Sequence, residues 1–163
     1  VDSLKVVETT LAEDKVQFPY IPGLFSFREL PPIIKALQLL VKTPDLIICD
    51  AHGLAHPRRF GLACHLGVLF DIPTIGCAKT KLVGRFEDIG INRGDWAHLI
   101  DSTEIIGSVL RTQTKVRPVY VSIGHRVSLE TARKWVLRLS PKYRLPETTR
   151  QADQSVRRAF KEY

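Results

Sequence analysis

Methionine is missing from these 163 residues, cysteine occurs only three times, and no apolar run approaches the ~18 residues that a membrane span requires. Each scarcity excludes something. With no long apolar run and no charged leader before a signal-like core, neither a membrane nor a secreted protein is expected; a cytoplasmic location is. Cys49, Cys64 and Cys77 are odd in number and lack C-x-x-C spacing, which argues against a disulfide framework or a zinc site and predicts buried, reduced thiols. The absent methionine, with Val1 opening the approach to a strand, predicts that these residues begin inside a longer product. Repeats, low-complexity tracts and internal linkers are also lacking, so one domain over residues 1–163 is expected.

What is present reads as a soluble globular chain, 44% hydrophobic and 25% charged. Lysine and arginine number 24 against 17 acidic residues, a formal charge of +7, which makes a polyanion a plausible partner and predicts that salt weakens its attachment.

Periodicity supplies the elements. Leu4 to Glu8 is β-branched and, with Lys15 to Phe18, predicts strand material. Pro19 and Pro22 fix a stiff loop from which Tyr20 stands out. Leu30, Ile33, Ile34, Leu37, Leu40 and Val41 recur at helical spacing, predicting a helix over 27–42 with Pro31 and Pro32 in its first turn and Glu29 near its start. Leu46 to Cys49 is a continuous apolar run, the pattern of a strand covered on both faces, with Asp50 at its C-terminal end. A short helix over 61–70 and a buried strand over 74–78 follow, and a right-handed crossover between the two strands would bring Asp50 and Lys79 to one rim of the sheet. Residues 104–111 and 118–123 predict an antiparallel pair. Helices are expected over 129–139, with Ser128 as N-cap, and over 149–160.

Two runs carry the chemistry: Phe-Pro-Tyr-Ile-Pro-Gly-Leu-Phe-Ser-Phe-Arg-Glu over 18–29 and Asp-Ala-His-Gly-Leu-Ala-His-Pro-Arg-Arg over 50–59. An aromatic between prolines, two carboxylates and an arginine pair suit a metal-dependent phosphodiester site. With Pro-Thr-Ile-Gly-Cys-Ala-Lys (73–79), Ile-Gly-His-Arg-Val-Ser (123–128) and Arg-Leu-Pro-Glu-Thr-Thr-Arg-Gln-Ala-Asp (144–153), the chain resembles the endonuclease V family over nearly its whole length. That resemblance implies an α/β fold, a ribonuclease H-like mixed sheet flanked by helices. Family members carry a further Gly-Val-Asp strand ahead of these motifs, supplying a first catalytic carboxylate; it is not found here, Asp2 is a poor imitation, and an N-terminally truncated domain is expected.

The resemblance implies a DNA repair endonuclease that recognises deoxyinosine and hydrolyses the second phosphodiester bond 3′ to the lesion, with inosine-containing RNA as another substrate and a monomeric intact enzyme. Such hydrolysis uses Mg²⁺, replaceable by Mn²⁺, held by hard oxygen ligands. The implied catalytic residues are Glu29, Asp50, Lys79 and Asp153, with Glu29, Asp50 and Asp153 as metal ligands. Lys79 would stabilise charge at the scissile phosphate. Tyr20, with Ile21 and Pro22, would form a wedge, and Gly23, Leu24, Phe25, Ala51, Gly61 and Leu62 a narrow pocket for the extruded base. Ala51 stands where the family usually has glycine. His56, Arg58, Arg59, Arg126 and Arg150 are candidate phosphate contacts, and His65 and His125 structural hydrogen-bonding residues.

Plainer readings stand beside these. Glu29 could favour a helix N-terminus, Asp50 could cap a turn, Asp153 could lie on a solvated face, Lys79 on the surface, and Tyr20 in a core. A second function is open as well: a catalytically incomplete module that binds lesions or nucleic acid.

Overall fold

The computed structural model describes residues 3–15, 18, 19, 21 and 23–161. Among these residues nine elements follow in order: α1 (Phe25–Gln38), β1 (Ile47–Cys49), α2 (Leu62–Phe70), β2 (Thr74–Ala78), β3 (Trp96–Asp101), β4 (Glu104–Leu110), β5 (Val119–His125), α3 (Leu129–Leu139) and α4 (Glu147–Ala159). The strands form one mixed sheet ordered β1-β2-β5-β4-β3. β1 and β2 run parallel, with α2 between them in the chain, and the remaining neighbours are antiparallel.

Alternation along the strands sorts the core. Ile75 and Cys77 of β2 join Val119 and Val121 of β5 against Ala132 and Val136 of α3. Ile47 and Cys49 of β1 instead meet Leu30 of α1 and Leu62, Ala63 and Leu66 of α2. Residues two apart share a face, so each strand serves both layers. All five residues of β2 are buried, as its unbroken apolar run predicts.

Several expectations need correction. Residues 4–8 form no strand; Glu8 accepts the Val41 N–H at 2.8 Å, and the residues that follow lie against α1, where the Thr10 hydroxyl donates to the Ala36 carbonyl at 2.7 Å and Asp14 meets Lys35 at 2.9 Å. Strand propensity is realised only by pairing, and this segment pairs with no strand among the described residues. Residues 16 and 17 lie outside the description. Helix α1 begins earlier and ends earlier than the spacing predicts, so Pro31 and Pro32 fall in its second turn, where each removes a ladder donor. Strand β3 was not anticipated.

Among the described residues no helix is long and apolar enough to cross a membrane.

Candidate active site

Parallel strands β1 and β2 end at the same rim. Asp50 follows Cys49 and Lys79 follows Ala78, and the Lys79 ammonium reaches the Asp50 carboxylate at 2.5 Å. Both side chains are partly open to solvent, 39% for Asp50 and 46% for Lys79. They line a cleft of about 390 Å³ together with Gly23, Phe25, Ser26, Ala51, His52, His56, Gly61, Leu62, Ala78, Thr80, Lys81 and Leu82.

The loop between β1 and α2 is held by its backbone. Gly53 N–H donates to the Ser122 hydroxyl at 2.9 Å, Leu54 N–H to the Ile123 carbonyl at 2.7 Å, and Ala63 N–H to the His52 carbonyl at 3.1 Å. Main chain packs directly on main chain here. A Cβ at Gly53 would stand 2.1 Å from the Ile123 oxygen, and one at Gly61 2.3 Å from the His52 oxygen, so neither position accepts a side chain without backbone movement. The sequence reading assigned Gly61 to close approach of a base; in the fold its lack of a side chain already serves approach of the Asp50 loop.

The histidines are set by burial. His56 is 6% exposed, its Nδ1 accepts the Arg58 N–H at 3.2 Å, and its pKa is lowered below the usual imidazole value by burial and by the neighbouring guanidinium. His52 is lowered too, chiefly by desolvation. His65 Nδ1 meets the Ser26 hydroxyl at 3.3 Å, and His125 Nε2 meets Asp71 at 3.0 Å, as structural roles predict. Burial favours the thiol form of the cysteines: it pushes Cys49 and Cys77 up to about 12 and raises Cys64.

Of the six residues expected to form the base pocket, Gly23, Phe25, Ala51, Gly61 and Leu62 line the cleft and Leu24 does not. Tyr20 and Pro22 of the wedge lie outside the described residues; Ile21 is exposed at 40%. Thr80, Lys81 and Leu82 enter the lining unanticipated. A legible signal existed, since the residues after a strand buried on both faces continue along the rim where that strand ends.

The carboxylates expected to converge do not. Glu29 pairs with Arg28 at 3.4 Å and opens onto a separate depression of about 490 Å³ with Lys15, Phe18 and Phe27. Asp153 pairs with Arg157, one helical turn further along α4, at 2.9 Å. Among the described residues no group of three or more His, Cys, Asp or Glu side chains could hold a metal ion. Each acid instead neutralises a cation, Asp50 across the rim and the other two within their own helices. As they stand, these residues do not fit the carboxylate cage that Mg²⁺ or Mn²⁺ would need.

The candidate phosphate contacts divide in the same way. Arg58 is exposed, and its guanidinium donates to the Gly23 carbonyl at 3.0 Å on the cleft wall. Arg59 is engaged by Asp101 at 2.7 Å, Glu104 at 2.6 Å and the His56 carbonyl at 3.0 Å. Arg126 is held by Asp71 at 2.7 Å, beyond the end of β5 and at the rim opposite Lys79. Arg150 grips Glu147, whose carboxyl is lowered to about 2 by that contact, and lies 4.6 Å from the centre of the Tyr143 ring.

Comparison with known proteins agrees with the motifs. The family model described as Endonuclease V matches residues 1–154. An endonuclease V of Trichormus variabilis is 59% identical over 150 residues, covering 92% of this chain and 68% of that protein. The solved structure of endonuclease V from Streptomyces avermitilis aligns at TM-score 0.87 and 55% identity, over 91% of this chain and 65% of that one. Endonuclease V of Ciona intestinalis, solved in complex with a 23mer DNA containing an inosine followed by a ribo-adenosine, aligns at TM-score 0.79 and 33% identity, over 91% and 69%. The chain therefore spans about two thirds of the length of the relatives it matches.

Proposed function

Since this chain belongs to the endonuclease V family, we propose that it is the nuclease portion of a DNA repair enzyme that binds deoxyinosine and hydrolyses the second phosphodiester bond on its 3′ side. One observation carries the reading: the Asp50–Lys79 pair stands at the rim of a cleft whose other wall is the loop pinned by Gly53 and Gly61. A flipped purine needs a narrow pocket with backbone donors and acceptors, and the anionic phosphate beside it needs a cation. Gly61 and Ala51 line the cleft and Lys79 stands at its rim, which supports this reading. The Ciona intestinalis relative solved with inosine-containing DNA supports that choice of ligand.

In this reading Ala51, Gly61, Leu62 and Phe25 hold the base, Tyr20 with Ile21 and Pro22 fills the space it leaves, and Lys79 neutralises charge that develops on the scissile phosphate. Arg58 and His56 contact neighbouring phosphates. Mg²⁺, replaceable by Mn²⁺, would be the cofactor, and Asp50 is the one of the three implied carboxylates that lines the cleft. Glu29 and Asp153 would have to leave Arg28 and Arg157 to join it. Inosine-containing RNA, a cytoplasmic location and a monomeric intact enzyme complete the proposal.

The separation of Glu29, Asp50 and Asp153 favours a second reading, a lesion-binding module without cleavage. Incubation of the chain with a deoxyinosine duplex in Mg²⁺ and in Mn²⁺ separates the two. Nicking that Asp50→Asn abolishes, with lesion binding kept, is expected for the nuclease; tight binding with no nick in either ion favours the module. Equal nicking by parent and variant would remove Asp50 from the mechanism.

A further inference from the structure

Arg144 is a half-buried cation beside the cleft that neither the motifs' chemistry nor the nuclease reading uses. Its Nη2 donates to the Lys79 carbonyl at 2.6 Å and to the Pro118 carbonyl at 2.7 Å. Those two carbonyls lie immediately beyond the last paired residues of β2 and β5, Ala78 and Tyr120 on one side and Val119 on the other. The guanidinium therefore takes up the pairing where the ladder stops. Its own backbone is tied down in turn, because the fully buried Thr112 donates its hydroxyl to the Arg144 carbonyl at 2.6 Å.

The side chain is costly where it sits. Its Nε is buried with no hydrogen-bond partner among the described residues. Desolvation lowers its pKa, the like charge of Arg117 lowers it further, and among the described residues no carboxylate pairs with it. A half-buried guanidinium without an acid beside it contributes little to stability.

We propose, resting on the nuclease reading above, that Arg144 is a positioning residue for cleavage: by clamping the Lys79 carbonyl to Pro118 it sets the direction in which the chain leaves β2, and so delivers the Lys79 ammonium to Asp50 and the phosphate. It is not among the residues that line the cleft. Removing it lowers the cleavage rate and leaves lesion affinity in place.

The test compares the parent chain with Arg144→Gln and Arg144→Lys, and with Asp50→Asn as the control that frees Lys79 directly. The first readout is the rate at which the Lys79 amine is acetylated, followed by peptide mass spectrometry; an amine held by a carboxylate reacts slowly. Arg144→Gln is expected to raise that rate at least threefold, toward the Asp50→Asn value, while Arg144→Lys, which retains a cation with several donors, stays between parent and Gln. The second readout is single-turnover nicking of a deoxyinosine duplex against its dissociation constant: Arg144→Gln is expected to nick about tenfold more slowly with affinity within twofold. Should Arg144→Gln fail to fold, the Arg144→Lys values decide alone. Acetylation of Lys79 at the parent rate in the folded variant overturns the proposal, as does an equal loss of nicking and binding. If the parent itself does not nick, the nuclease reading fails, and the acetylation rates still decide whether Arg144 holds Lys79.

Discussion

Neighbouring arginines in one motif have different work. Arg58 is exposed on the cleft wall, whereas Arg59 is spent on Asp101 and Glu104 and ties the Asp50 loop to the β3–β4 turn. Arg58→Gln should therefore weaken duplex binding with little change in melting temperature. Arg59→Gln should lower the melting temperature, because a charge-assisted pair is lost, and affect binding less. Equilibrium denaturation and duplex titration of both variants check this, and the reverse order would return Arg59 to the phosphate contacts. Histidine burial adds a pH dependence. His56 and His65 titrate below their unfolded value of 6.5, so the unfolded chain binds more protons as pH falls. Their stabilisation is complete above pH 6.5 and is lost as acid reaches the lowered folded values. Melting temperature should fall between pH 7 and 5, less steeply in a His56→Asn/His65→Asn double variant.

Between elements, close approach of backbone governs the site. The β1–α2 loop presses on β5 at Gly53, with no room for a methyl group, so Gly53→Ala should displace the Asp50 loop as well as destabilise the fold. Expected are a loss of about 1–3 kcal/mol by denaturant titration and faster exchange of the Leu54 amide, which donates to Ile123. Leu66, 1% exposed in α2, provides the contrast: Leu66→Ala should cost about 2–5 kcal/mol through the cavity it leaves, while a folded sample keeps the Asp50–Lys79 pair. Where the strand patterns were strong, sequence periodicity located the elements well: β2 over 74–78 and α3 over 129–139 fall where expected, and the Ser128 hydroxyl accepts the Thr131 N–H. Strand β3 escaped because its hairpin turns on Ser102 and Thr103, with Ser102 at φ 57, in place of the Asn-Gly or Asp-Gly pair that announces such turns.

At the scale of the whole molecule, charge is the property that acts at a distance. A formal +7 predicts that duplex affinity falls linearly on logarithmic axes as salt rises, with a slope of about −0.9 for each phosphate neutralised. Titrations between low and physiological salt measure that slope. A flat response would mean that the basic residues are occupied by their own acids, as Arg59, Arg126 and Arg150 are.

Order along the chain by itself determined the family, the parallel β1–β2 pair and the meeting of Asp50 with Lys79, because unbroken apolar runs dictate buried strands and the residue after such a strand must emerge at its rim. Tertiary structure alone decided which charges stay available. Arg59 carries the same motif letter as a working residue, yet it is neutralised by Asp101 and Glu104, partners that no spacing rule expresses, and the role of Gly61 rests on a carbonyl nine residues earlier folded against it. Electrostatic and steric neighbours are set by the packing of whole layers, so they become visible only once the sheet and helices are assembled.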